Sequence, residues 1–211
     1  MSDNNCSDNW ISQQTDEIHP PPCSWEGEPK LTYSFDGEGW TPDYRKAVEQ
    51  AFECWEAAFD KLCHQVAQCR RVSFTEVDLQ QPTVPTHISI KFVDPSTKVC
   101  EELKDRQAHT DYPPYCACRK NKESTCIPLY FNNKYEWSHE PKENHYDLFT
   151  VALHEIGHIV GLTHIDIGND DKKRDRVMCN PPPIGKRPFT EVTKYDIDDL
   201  KPLYGTRSEE D

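Results

Sequence analysis

Long apolar runs are missing from this chain: nowhere do about 18 apolar residues stand together, so no helix is expected to span a membrane. The opening residues, Met1-Ser2-Asp3-Asn4-Asn5, are neither basic nor apolar, and no signal peptide is expected in the sequence as it stands. Basic charge is scarce. Against 37 Asp and Glu there are 24 Lys and Arg, a net −13 that repels phosphate backbones and sets nucleic acid aside as a partner. Hydrophobic residues make up only 35% of the 211 positions while 17 are proline, which implies one compact domain with long loops. Repeats, low-complexity tracts and Cys-x-x-Cys pairs are absent, and Met178 is the sole methionine besides Met1.

Cysteine, by contrast, is abundant. The ten are Cys6, Cys23, Cys54, Cys63, Cys69, Cys100, Cys116, Cys118, Cys126 and Cys179. An even number spread along the whole chain without metal-type spacing reads as mostly disulfides, hence as a secreted protein whose leader has been removed or which leaves the cell by another route. Cys23 is expected to be bridged, with Cys6 a candidate partner.

Periodicity divides the chain into an extension (1–29), a folded domain (30–205) and an acidic tail (206–211). Within the domain, alternation marks strands at Lys30 to Phe35, Arg71 to Val77, His87 to Val93 and Ile127 to Phe131. Thr41-Pro42 opens a helix whose Val48, Ala51, Phe52, Trp55, Phe59 and Leu62 share one face and read as core. Asp147 caps a second helix with an apolar side through Leu148, Val151, Ala152, Ile156, Ile159 and Val160, and a third runs from Thr193 to Leu203. Residues 94–125 read as one long loop stapled by cysteines. Strands and helices in this order make an α+β domain.

The second helix carries His154-Glu155-Ile156-Gly157-His158-Ile159-Val160-Gly161-Leu162-Thr163-His164. Histidines four apart face the same way on a helix and can bind one ion. Gly161 can adopt the left-handed conformation that ends the helix and lets His164 return as a third ligand. Three imidazoles suit zinc with an open position for water, and Glu155 beside the first ligand can act as the base for peptide hydrolysis by a zinc-bound water. A thermolysin-like set with a glutamate ligand is disfavoured, because the next glutamate after Glu155 is Glu191. Met178, in a loop after the third histidine, can support the site from beneath.

The order of these parts resembles the matrixin branch of the metzincin metalloproteases. Leu31 to Phe35 with the helix through Trp55 is similar to the family's opening strand and helix. Val72 to Val77, Ile88 to Phe92, Leu129 to Asn133 running on through Trp137, and then Asn144 to His164 resemble its later parts, as does Tyr195 to Gly205. The resemblance implies a twisted mixed sheet of four to five strands with three main helices and a zinc cleft. It implies a monomeric endopeptidase that binds a protein or peptide substrate extended along the sheet edge, placed by position at Ile127 to Phe131. The chain departs from the pattern where Ile165 replaces a serine and where Cys179 replaces the tyrosine after the methionine. Around Cys23, the arginine, glycine and aspartate of the family's cysteine switch are missing. The competing function is a zinc-stabilised, inactive binding or toxin-like module, against which the retained Glu155 counts.

The family's second zinc is not expected here, nor is structural calcium. His109 and Asp111 occupy one half of the second zinc site, but Tyr130 and Asn132 stand where further ligands would be, and two ligands cannot close a tetrahedral site. Bridges among Cys100, Cys116, Cys118 and Cys126 would staple that segment instead. The rival is a second zinc held by His109, Asp111 and some of those thiolates. Elemental analysis of purified protein should find one tightly held zinc per chain, lost on His158→Ala and kept on His109→Ala. Two zinc ions would favour the rival.

Overall fold

The computed structural model describes residues 24–78, 85–94, 96, 103, 105–113, 126–165, 175–179 and 184–205. Strand β1 (Lys30–Phe35) alternates its side chains so that Leu31, Tyr33 and Phe35 meet helix α1 (Pro42–Gln65). Thr41 caps α1 as its motif requires, its hydroxyl accepting the amide of Tyr44 at 3.1 Å, and Pro42 fills the first turn where no amide hydrogen is needed. The apolar stripe read from the sequence is buried along its length, and Tyr33 stacks on Phe52 with ring centres 4.3 Å apart.

Strands β2 (Ser73–Glu76), β3 (Ile88–Val93), β4 (Ala108–Thr110) and β5 (Ile127–Asn132) complete a five-stranded sheet in the order β2-β1-β3-β5-β4. All pairings are parallel except β4 with β5, so the sheet is mixed, as expected. Two expectations are corrected. The stretch 94–125 is not wholly irregular, since it contains β4, and the terminal strand is β4 rather than Ile127 to Phe131. Three residues are too few for period-two alternation to register, yet the backbone of β4 pairs with the outer side of β5 and takes over the edge. A small parallel pair, β6 (Trp137–Ser138) and β7 (Tyr146–Asp147), leads into helix α2 (Leu148–Ile159), and helix α3 (Lys194–Tyr204) closes the domain.

Helix α2 is buried on every side, not on one face only, because α1, β4 and the loop around Met178 surround it. An all-buried helix belongs to the core, so whatever polar groups it carries are held in low dielectric. Trp25, within the stretch read as an extension, also packs into the core, with its indole donating to the carbonyl of Ile159 at 2.9 Å.

The cysteine expectation is met in part. Cys63 and Cys69 form a disulfide that closes the turn after α1, where Gln68 adopts φ +56°. Cys54 is an unbridged thiol on α1, 3.5 Å from the carbonyl of Thr190. Cys6, Cys23, Cys100, Cys116 and Cys118 lie outside the described residues, and with them the proposed staple and the Cys6–Cys23 bridge.

His109 faces Tyr130 across the β4–β5 pair. Asn132 is fully buried, and its amide donates to the carbonyls of Leu103 (3.0 Å) and Arg106 (2.9 Å) while its oxygen accepts the amide of Lys134 at 3.0 Å. An aspartate there has no hydrogen to donate, so its charge would be buried against two carbonyl oxygens. Asn132→Asp is therefore expected to cost about 3 kcal/mol or more in urea unfolding. A loss below about 0.5 kcal/mol would show that these hydrogen bonds do not hold the loop.

Candidate metal centre

The site is assembled from both ends of α2. At its start, Asp147 caps the helix by accepting the amide of Thr150 at 2.8 Å and its hydroxyl at 2.7 Å. The same buried carboxylate takes a forked contact from Arg187, 3.0 Å from Nε and 2.7 Å from Nη2, which ties the segment after Met178 to the helix. At its end, Gly161 sits at φ +96°, a conformation that costs glycine little. Leu162 donates to the carbonyl of Gly157 and Gly161 to that of His158, both at 2.9 Å, and the chain reverses.

That reversal brings His164 back to His154 and His158. Its Nε2 lies 3.1 Å from Nε2 of each. The other nitrogens of the two helical rings are engaged: Nδ1 of His154 lies 2.9 Å from the carbonyl of Val177, and Nδ1 of His158 lies 2.8 Å from that of Leu162. A carbonyl only accepts, so each Nδ1 carries the hydrogen and each Nε2 presents a lone pair. Burial lowers the pKa of His154, and it presses His158 down to about 3, with help from neighbouring His154. Neutral imidazoles with inward lone pairs about 3 Å apart repel one another unless a cation lies among them. Two nitrogens bound tetrahedrally to zinc at ~2.1 Å stand roughly 3.4 Å apart, close to what is seen. The donor set fits a zinc-type ion, and among the described residues these three histidines are the group that could hold a metal.

Glu155 is 8% exposed, and burial pushes its carboxyl up to about 8, with the Arg106 guanidinium pulling the other way. Met178 is fully buried under the helix. A Cβ on Gly157 would lie 2.2 Å from its sulfur and 3.0 Å from the ring of Trp55, so glycine is what lets both side chains approach.

Sequence reading singled out the histidines, Glu155 and Met178, and the structure gathers them around α2. It did not find the groups that hold them. Asp196, fully buried on α3, accepts the amides of Val177 (2.9 Å) and Met178 (3.3 Å), fixing the turn whose carbonyl orients His154. Trp55 donates to the carbonyl of Leu153 at 2.8 Å and Tyr204 to that of Val160 at 2.9 Å. Tyr112 lies edge-on to His158, with ring centres 5.3 Å apart. A buried carboxylate on a short helix leaves no mark in hydropathy. Gly157, a glycine inside a helix, was the one signal that something packs closely there.

Two helical histidines, a third returned by a glycine turn and a methionine turn beneath them define a metzincin-type metal site. The matrixin family model matches residues 24–205, and the chain belongs to that family. Similar solved structures include that of myroilysin, at 12% identity and TM-score 0.49 over 88% of this chain and 97% of that one. Another is high choriolytic enzyme 1, a hatching-enzyme zinc-protease from Oryzias latipes, the medaka fish, at 12% identity and TM-score 0.40 over 85% of this chain and 92% of that one. A comparison with curated proteins returns no match.

Gly157→Ala is expected to displace Met178 or Trp55 and so disturb the floor of the site. Competition against a chromophoric chelator should show zinc affinity reduced about tenfold or more, as for other residues that support metal ligands. Unchanged affinity would mean that the close approach of Met178 does not position the histidines.

Proposed function

We propose that this matrixin is a zinc-dependent endopeptidase in which His154, His158 and His164 hold the metal through Nε2 and Glu155 is the catalytic base. The observation that carries the reading is the convergence of three imidazole Nε2 atoms, two of them on rings whose Nδ1 is committed to a backbone carbonyl, beside a buried carboxylate. Bound zinc supplies Lewis acidity that polarises a carbonyl and acidifies water. The chain's own residues do the rest. Nδ1 contacts to Val177 and Leu162 keep the imidazoles oriented and neutral. Glu155 takes the proton from the attacking water and delivers it to the leaving amine nitrogen, so the carboxylate is regenerated at the end of each cycle. Its burial raises its basicity toward the neutral range that general acid–base exchange favours. Substrate would lie extended beside β4, the terminal strand, adding backbone hydrogen bonds to the sheet. Cys179, where relatives by resemblance carry a tyrosine, would help form the wall of the main specificity pocket. The Cys63–Cys69 bridge supports a secreted protein.

Glu155→Gln keeps the shape and the ligands but cannot take a proton. Cleavage of a denatured protein mixture is expected to fall by about 10²-fold or more while zinc content stays at the wild-type level. A loss of tenfold or less with zinc retained would remove Glu155 as the base. Removal of zinc by a chelator is expected to abolish cleavage, with recovery on adding zinc back.

A further inference from the structure

The turn at Gly161 ends the amide ladder of α2, and the carbonyls of Ile159 and Val160, the last before that glycine, are met by side chains from distant segments. The indole of Trp25 donates to Ile159 at 2.9 Å, and the hydroxyl of Tyr204, the last residue of α3, donates to Val160 at 2.9 Å. Both side chains are buried. They also meet each other, since the amide of Trp25 donates to the Tyr204 hydroxyl at 3.4 Å.

Arg70 holds both donors at once. It follows the Cys63–Cys69 bridge and stands shortly before β2. Its Nη1 donates to the carbonyl of Trp25 at 2.9 Å, and its Nη2 donates to the Ser24 hydroxyl at 3.2 Å and to the carbonyl of Leu203. Its guanidinium lies 5.5 Å from the centre of the Tyr204 ring, and its backbone amide donates to the carbonyl of Tyr204 at 2.9 Å. The charge therefore sits at the C-terminal end of α3, where a cation is favoured. A flat fork can join two separate segments in this way, whereas an ammonium is a single point of charge. One side chain thus fastens the segment before β1 to the end of α3.

We propose that Arg70 is a positioning residue of the metal centre, acting through Trp25 and Tyr204 on the turn that delivers His164, an inference that rests on the reading of the three histidines as a zinc site. The turn reaches the metal twice. It leads to His164, and its Leu162 carbonyl lies 2.8 Å from Nδ1 of His158. A shift of the turn therefore moves one ligand and releases the orientation of another. A contact that only stabilised the fold would leave ligand geometry alone. The two roles separate, because losses at independent sites add in free energy while losses along one series of contacts do not.

Zinc affinity of the full chain, measured by competition with a chromophoric chelator, and the visible spectrum of the cobalt(II)-substituted protein provide the test. Arg70→Lys keeps the charge but not the fork, and Tyr204→Phe keeps the ring but not the hydroxyl. Each is expected to weaken zinc binding about tenfold and to alter the cobalt bands, as loss of groups that orient metal ligands does. Combined, they should weaken it by clearly less than the product of the two effects. Phe74→Leu, in β2 at the far end of the sheet, should lower stability to urea without changing either readout. Wild-type affinity with an unchanged spectrum in either single variant would overturn the proposal. So would effects that multiply, or a loss in Phe74→Leu equal to that in Arg70→Lys. A wild-type chain that takes up no zinc would overturn the zinc reading as well, whereas a zinc-binding wild type with unaltered variants overturns the role of Arg70 alone.

Discussion

Three imidazole nitrogens gathered together, two on a buried helix and the third, 3.1 Å from each, on the turn that follows it, are the constraint on which the rest of this structure depends. Lone pairs so close repel, and burial of His154 and His158 disfavours protonating them. The arrangement therefore persists only if each ring is fixed from behind. For the helical pair that fixing is a hydrogen bond from Nδ1 to a backbone carbonyl, one from the loop before Met178 and one from the turn after Gly161. Each carbonyl lies on a segment outside α2, so the metal-binding geometry is a property of the assembled domain.

Those segments are themselves held by buried polar groups. Asp196 reaches from α3 to fix the methionine turn, Arg187 ties the next segment to the cap of α2, and the indoles of Trp55 and Trp25 donate to carbonyls of the same helix. Apart from the partly exposed Arg187, these donors and acceptors are removed from water, where an unmade hydrogen bond costs about 1–3 kcal/mol. Rigidity at the histidines thus comes from many modest contacts made with little freedom to exchange partners.

Around this centre the domain uses local fastenings. Asn132 pins the approach to β4 through two amide donations, and the Cys63–Cys69 disulfide closes the turn after α1. The far end of the sheet is different in character. There Tyr33, Phe52 and Phe74 pack in series, while Glu56 accepts the amide of Phe74 and Glu76 pairs with Arg45.

Much was legible in the order of residues. Helix starts at Thr41, Asp147 and Thr193 were visible because caps are short-range chemistry. The strands β1, β3 and β5 showed themselves by alternation, and the histidine pair by helical spacing, since both periods follow from backbone geometry alone. The glycine turn was readable for the same reason. Tertiary structure alone decided that three-residue β4 takes the edge from β5, that α2 is buried all round, and that Asp196, Trp55 and Tyr204 serve the metal centre from positions tens of residues away. Local pattern determines which conformations a segment favours. Which carbonyl faces which imidazole depends on packing between distant segments, and no spacing along the chain encodes that.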